Sequence, residues 1–381
     1  MRNSKKGLIN IKYELNSFDE LIEHIRNGSE DSIKLSECKI NIVFDFRLIL
    51  KELKRIPQYS DKITIRNDIN EFGYEVFYCN LKIPFRSETT IYSYGAYFEL
   101  VEFEDYAQFI GSVFESEYSF NKAVFHSSVN FITVDFETKQ FSKLKFSFYR
   151  TIFKRDVSFY NSYFFSLASF KSATFYEGVD IGRAEFANID LSDVELKGDG
   201  KFINYHQAVF HKANNRITGL YLKQNAIKMN DSVSELLFKK MEMDAYRRSL
   251  ISDIPEMKTS ALKTILNRIN ILADLIILHL NKLSNSYGNS YLRGIIFTFT
   301  IWIFFFSWFI MKRDGMGSSF IWTDGEYLKE AVNYFWLFSG IDGLTIGRTV
   351  TWGQIFPFFC GKILIAYGIY QTITAFRKYF R

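Results

Sequence analysis

The segment Ser339-Gly340-Ile341-Asp342-Gly343-Leu344-Thr345-Ile346-Gly347 sets one carboxylate and two hydroxyls among glycines, between two strongly apolar stretches. Repeated around the axis of an oligomer, Asp342 would form a ring of negative charge that favours cations. In a single chain it reads as an exposed turn residue ahead of Gly343. Lys362 is the second charge in an unexpected place, inside the following apolar stretch, where it must snorkel to an interface, pair, or face water. The rest of the chain offers little chemistry. His206 and His211 are five residues apart, a spacing for surface positions more than for metal ligands, and His24 and His126 give a catalytic triad no partners. Cys38, Cys79 and Cys360 lack the paired spacing of a zinc or redox site, and Cys38 and Cys79 read as reduced core residues. There is no P-loop, no GxGxxG after a strand, no HExxH and no GxSxG, so no catalytic residue, metal or cofactor is expected, and the chain is not expected to be an enzyme.

The stretches flanking the loop must position it. Gly294–Met311 runs for 18 residues without a charge, bracketed by Arg293 and Lys312–Arg313. A bilayer core about 30 Å thick needs roughly 20 such residues, so this segment predicts a spanning helix. A second runs from about Ile355 to Phe376 and ends in Arg377, Lys378 and Arg381. Between them, Gly325–Phe338 has helical, partly apolar character and leads into the glycine-rich loop. Upstream, Ser232–Glu235 has capping-box spacing, Glu235–Leu250 reads as a helix, and Thr259–Leu283 as an amphipathic helix with Leu262, Ile265, Leu266, Ile269, Leu272, Ile276 and Leu280 at helical spacing. That second helix fits either the inner leaflet or a place against the N-terminal region.

The longest signal lies in the middle of the chain. Phe98, Phe109, Phe120, Phe131, Phe153, Phe164, Phe175 and Phe186 fall on one 11-residue period, broken only at Ser142. Phe103, Phe114, Phe125 and Phe136 follow the first members by five; after a phase change near Phe146–Phe148, the second set is Phe148, Phe159, Phe170 and Ile181. Two positions before most of these stands a small or β-branched residue, among them Ala96, Val101, Ser112, Ala123, Val129, Val134, Thr151, Ser162, Ala173 and Ala184. Alternate residues of a short extended segment share a face, so both should point inward. Self-similarity at a fixed period predicts a solenoid over a phenylalanine-rich sandwich, with a coil of roughly 22 residues if two sides take 11. A short helix at Ser17–Arg26 would cap its end.

These units, as in FNKAVFHSSVNF (Phe120–Phe131) and FKSATFYEGVDI (Phe170–Ile181), resemble the pentapeptide-repeat family, well from Phe98 to Leu196 and more faintly over Ile33–Phe85 and Phe202–Leu222. The resemblance implies a right-handed, four-sided β-helix. The C-terminal order of spanning helix, short helix, glycine-rich turn and second spanning helix resembles the potassium-channel superfamily. Phe238–Met243 with Tyr246, Ser286–Arg293 and Ala366–Lys378 look like segments of bacterial pentapeptide-repeat proteins that carry such a unit. The pore-loop candidates are then Ser339, Gly340, Asp342, Gly343, Thr345 and Gly347, with Lys362 on the second helix. GIDGLTIG is not the TVGYG type of sequence that presents a row of carbonyls.

The expected organisation is an N-terminal cap (1–32), a mainly β solenoid (33–222), a helical connector (223–290) and a two-helix channel-like membrane domain (291–381). The expected partners are the lipid bilayer, further copies of the chain (a tetramer by resemblance) and an unknown protein or ligand on the solenoid. Nucleic acid is not expected. The formal charge of +5 is mild, and the acidic cluster Glu177–Asp199 is offset by the basic stretch Lys139–Arg155, a poor match to the DNA mimicry some pentapeptide-repeat proteins practise. No signal-peptide stretch occupies the first 30 residues, and two spans would return the C-terminus to the cytoplasm of a bacterial cell. The functional expectation is a membrane channel-like protein gated by its β-helix; the alternative is an anchored interaction scaffold without conduction.

Overall fold

A computed structural model describes residues 11–28, 31–69, 75–136, 146–197, 203–253, 262–314, 325–345 and 350–377. The chain divides into two compact units, Met1–Asn225 and Ala226–Arg381.

The first unit is a parallel β-solenoid. Short strands stack in four ladders, one residue pair above the next: Val101, Val113, Tyr118 and Ala107 pair with Cys79, Ile91, Ala96 and Phe85 of the coil before. Glu102 pairs with Val124 and Val113 with Asp135, each 22 residues on, as the repeat predicts. Two longer strands, Tyr163–Ser169 and Glu185–Asp190, bend through a corner and join two of the ladders into one sheet.

The aromatics fill the coil interior as columns. Phe98, Phe120, Phe148 and Phe170 stack nearly parallel with centroids 4.7, 5.0 and 4.8 Å apart. Phe103, Phe125, Phe153 and Phe175 form the next column, Phe109, Phe131 and Phe159 a third, and Phe114, Phe136, Phe164, Phe186 and Phe210 the fourth. The small residues two positions earlier, from Ala96 to Ala184, are buried beside them. The 11-residue frame and the columns part company after Phe136. Ser119 pairs with Ser147 and Val124 with Ile152, a step of 28, so six additional residues enter between Phe136 and Phe146. Phe153 keeps the 11-residue beat of Phe131 only because six is also the length of one side; it belongs to the column of Phe103 and Phe125. Ser142 lies outside the described residues.

The alternation of five and six has a backbone cause. Each five-residue interval turns through a residue with positive φ at a matching place: Leu100, Gly111, Lys122, Thr133, Arg150, Asn161, Ser172 and Arg183. Four of these close a turn from the aromatic to the residue three on, as in Ala123 N–H to Phe120 O (3.1 Å) and Thr151 N–H to Phe148 O (3.1 Å), the arrangement of a type II turn. The six-residue intervals contain no such residue among those described and turn the corner with one residue more.

Both ends of the stack are closed. Lys39 pairs with Ile91, 52 positions on, and the surplus holds helix α2 (Phe46–Leu53; α1 is Phe18–Arg26) and the hairpin Ile63–Ile69/Glu75–Leu81. Phe46 of α2 lies parallel to Phe103 (5.8 Å, 8°) and against Phe85 and Phe98, so the lid on the aromatic columns is α2. The segment expected to cap, α1, packs behind it, N-capped by Ser17 and held by Tyr59, whose hydroxyl donates to Ile25 O (3.3 Å). At the other end stands α3 (Arg216–Lys228). Its Asn225 side chain bonds both the N–H (3.4 Å) and the C=O (3.1 Å) of Ile203, as a further strand would. Asp190 accepts from Ser192 N–H (3.0 Å) and Oγ (2.7 Å), Asn215 Nδ2 (2.9 Å) and Asn214 Nδ2 (3.0 Å). Cys38 and Cys79 are buried in this unit as free thiols, and burial pushes both up to about 11.

In the second unit α4 (Ser232–Asp253) starts at an Asp231 cap, with Ser234 N–H on Oδ1 (3.0 Å), in place of the Ser232–Glu235 box expected. It is followed by α5 (Leu262–Asn285), α6 (Tyr291–Asp314), α7 (Gly325–Phe335), α8 (Asp342–Thr345) and α9 (Trp352–Phe376). Leu275 and Leu278 of α5 are buried with Leu250 and Tyr287, while Ile269, Leu272, Ile276 and Ile277 on its other side are exposed.

Two outcomes test the solenoid. Burial acts to raise the Asp190 carboxyl, but hydrogen bonds from Ser192, Asn215 and Asn214 outweigh it and hold it below the usual carboxylate range. The stabilisation is therefore complete above the unfolded-state value near 4 and is lost as pH falls through the folded one. Asp190→Asn should cost about 2 kcal/mol at neutral pH, with the deficit shrinking below about pH 4, read from denaturant unfolding. Thr133 holds a positive φ that a β-branched residue resists. Thr133→Asn, which tolerates that conformation, should stabilise by about 1 kcal/mol and raise the thermal midpoint.

Candidate functional site

The polar groups of the second unit converge on the space between α6 and α9. The two helices run antiparallel and approach through missing side chains. A Cβ on Gly368 would lie 2.3 Å from Thr298 Oγ1, one on Gly294 would lie 2.5 Å from Thr372 Oγ1, and one on Gly361 would lie 2.8 Å from Phe305 Cβ. At the α5 end the seam carries a buried polar knot. Asn281 Oδ1 accepts from Tyr367 Oη (2.6 Å) and Gln371 Nε2 (2.9 Å), while Asn285 Nδ2 donates to Gln371 Oε1 (2.5 Å) and O (3.1 Å).

At the opposite end α7 leans against both long helices. Trp302 Nε1 donates to Ala331 O (2.9 Å), and Tyr334 Oη donates to Pro357 O (2.6 Å). The Tyr334 hydroxyl fits because Gly361 has no side chain: a Cβ there would stand 2.2 Å from it. Arg313, at the end of α6, pairs with Glu330 (2.9 Å) and donates to Leu344 O (2.9 Å), joining α6 to α7 and α8.

Lys362 lies ten residues into α9, and its ammonium reaches the end of α7. It donates to Trp336 O and to Ser339 Oγ (2.7 Å), above the rings of Phe358 (5.2 Å) and Tyr334 (5.6 Å). Cations are favoured near helix C-termini, and here the cation joins the Ser339 N–H (3.1 Å) on the Trp336 carbonyl just past the end of α7. Ser339 in turn donates to Trp336 O (2.9 Å) and to Asn333 O.

Of the loop residues expected from sequence, Ser339 and Lys362 are brought together. Gly340 has open space where a Cβ would stand, and Asp342 is exposed at the start of α8. Gly343 and Thr345 belong to that single helical turn, whose carbonyls follow a helix instead of forming a row, and Gly347 lies outside the described residues. His206 and His211 are both exposed, with His211 Nε2 2.9 Å from Glu185 Oε1. The Arg313 clamp, the Tyr334–Pro357 bond and the α5–α9 knot went unforeseen. Only the glycine seam left a trace in sequence, as Gly361 and Gly368 seven apart on one helix face.

Outside these contacts the surface is apolar. Phe338 is 89% exposed and Trp352 84%, with Phe304, Phe356, Phe359 and Ile363 outward on the long helices. Tyr291–Arg313 and Trp352–Phe376 are long and apolar enough to cross a membrane, and only 33% and 39% of their most apolar windows are buried. The chain thus combines a β-solenoid with a helical unit built on two long apolar helices. No family model matches the sequence, and no curated protein or solved structure matches it either.

Gly368→Val and Gly361→Val should each destabilise the helical unit by about 1–3 kcal/mol through overpacking. Thermal unfolding in detergent checks this, with Ile363→Val on the exposed face leaving the midpoint unchanged.

Proposed function

We propose that the two long helices span a bilayer and that the unit acts as a channel-like module in an assembly of identical chains. The solenoid, of the right-handed pentapeptide-repeat type, stands in the cytoplasm as its regulatory surface. One observation carries the reading: a short helix and glycine-containing turn, α7 and Ser339–Asp342, is tied by Lys362, Tyr334 and Arg313 between two antiparallel apolar helices whose outer faces are uncovered. A buried core helix would hide such a face, and an anchor needs neither the tether nor the second span. Basic residues supply the orientation. Lys282, Arg293, Arg377, Lys378 and Arg381 flank the spans on the solenoid's side, against Lys312, Arg313, Lys329 and Arg348 between them.

In this reading Asp342, exposed at the turn, lines the mouth between subunits and favours cations, and Lys362 holds the turn in place. The helical form of Asp342–Thr345 does not offer the row of carbonyls that a potassium filter needs. The alternative, an anchored docking scaffold, assigns no role to the turn.

The test is ion flux from liposomes holding the purified chain. Asp342→Asn should lower cation over anion permeability several-fold, and Lys362→Met, which frees the turn, should raise basal flux. Tracer release no greater than from protein-free vesicles, in wild type and Lys362→Met alike, removes conduction and leaves the scaffold.

A further inference from the structure

A cleft of about 670 Å³ opens in the helical unit between α4, α5 and the start of α6, lined by Arg247, His279, Lys282, Leu283, Arg293, Ile296, Phe297 and Thr300. It shares no residue with the turn held by Lys362. Its lining divides by chemistry along α6. Arg293 sits in the first turn of α6, with Ile296, Phe297 and Thr300 following; Arg247 of α4 and His279 and Lys282 of α5 supply the other basic groups of the lining. Arg293 to Thr300 covers about 10 Å of helix axis.

The cationic end carries more charge than the protein neutralises. Asp244 is the carboxylate that meets it, 2.8 Å from Lys282 Nζ and 3.8 Å from Arg247 Nε. The Arg247 Nε is buried without a hydrogen-bond partner. His279 donates Nδ1–H to Leu275 O (2.8 Å), which leaves Nε2 for the cleft. Among the described residues no acidic side chain lines the cleft. The apolar end is uncovered: Leu283 and Ile296 are 66% and 56% exposed.

We propose that this cleft binds an anionic phospholipid, with its phosphate among Arg247, Lys282 and Arg293 and an acyl chain along Ile296 and Phe297. A free phosphate would satisfy the cations and leave the apolar half empty. A zwitterionic lipid would bring its own cation into a site that already holds a surplus of positive charge. The inference rests on the membrane reading above, because it places Arg293 at the cytoplasmic interface, where anionic lipids and juxtamembrane cations meet. The first span, α6, would then be joined to α4 and α5 through one lipid.

The experiment uses the full-length protein in detergent, with phosphatidylglycerol or phosphatidylcholine of the same chains added at equal concentration and retained lipid counted by native mass spectrometry. Phosphatidylglycerol should be retained about tenfold over phosphatidylcholine. Arg247→Gln/Arg293→Gln should abolish the preference, Arg293→Gln alone should reduce it several-fold if the double variant fails to fold, and Lys329→Gln on α7 should leave it intact. Excess inorganic phosphate should not displace the lipid. Equal retention of the two lipids, a preference that survives the arginine variants, or displacement by phosphate would each overturn the site. Alkaline extraction of cell membranes separates this from the reading beneath it: release of the wild type overturns both, whereas a chain that stays in the membrane yet shows no lipid preference overturns the lipid site alone.

Discussion

One distance governs the solenoid: the separation of neighbouring parallel strands, about 4.8 Å, is also a comfortable distance between stacked aromatic rings. The four columns hold their rings 4.3 to 5.4 Å apart, nearly parallel, directly behind the ladder hydrogen bonds. A phenylalanine at the centre of each side is thus satisfied by the same translation that pairs the backbone. The small residue two positions earlier follows from that arrangement, since it shares the interior with a ring and has little room. So does the corner: a side of five residues must turn sharply, and residues such as Thr133 and Arg150 accept a positive φ to do it. The columns continue in register across the six additional residues between Phe136 and Phe146.

A stack held by translation has no natural end, and each terminus exposes a ladder edge and a ring face. The two ends use different chemistry. At the first coil the exposed quantity is aromatic surface, and α2 answers it with Phe46, itself a ring parallel to the one below. At the last coil two of the columns end in Leu191 and Tyr205 and the fourth in Phe210, and what remains to be met is backbone. Asn225 supplies a donor and an acceptor to Ile203, and Asp190 gathers the N–H and side-chain donors around the entry to α3.

The interior was legible in the sequence because translation repeats it. The period, the coil length and the inward residues could all be read from phenylalanine and its small partner. Column membership could not. The insertion before Phe146 has the length of one side, so Phe153 keeps the beat while changing column, and only backbone pairing separates the two assignments. The lid was also hidden, since eight residues of α2 give no repeat, and its role depends on Phe46 meeting rings more than 30 positions away. In the helical unit the sequence pointed to Lys362 and Ser339 separately. Their bond depends on the angle at which α7 lies against α9, which is set by Gly361 admitting the Tyr334 hydroxyl. A glycine's significance is the shape of its neighbour, and that is not written in the glycine.

Phenylalanine has one use in the solenoid and two in the helical unit. In the solenoid it is drawn inward and the residues beside it are small. Along α6 and α9 the closest approaches belong to Gly294, Gly361, Gly368, Thr298 and Thr372; Phe305, Phe306, Phe309 and Phe358 are buried with Tyr334 and Leu344, while Phe304, Phe356 and Phe359 point outward. Water would favour the reverse, because exposed rings and buried glycines forgo the main driving force for packing. In lipid that force is absent, and helices associate through close backbone approach and buried hydrogen bonds such as those joining Asn281, Asn285, Tyr367 and Gln371. The large side chains then gain by facing the solvent. Outward rings beside a seam of small residues are thus the pattern expected of helices packed in an apolar surrounding, a reading that does not depend on their length.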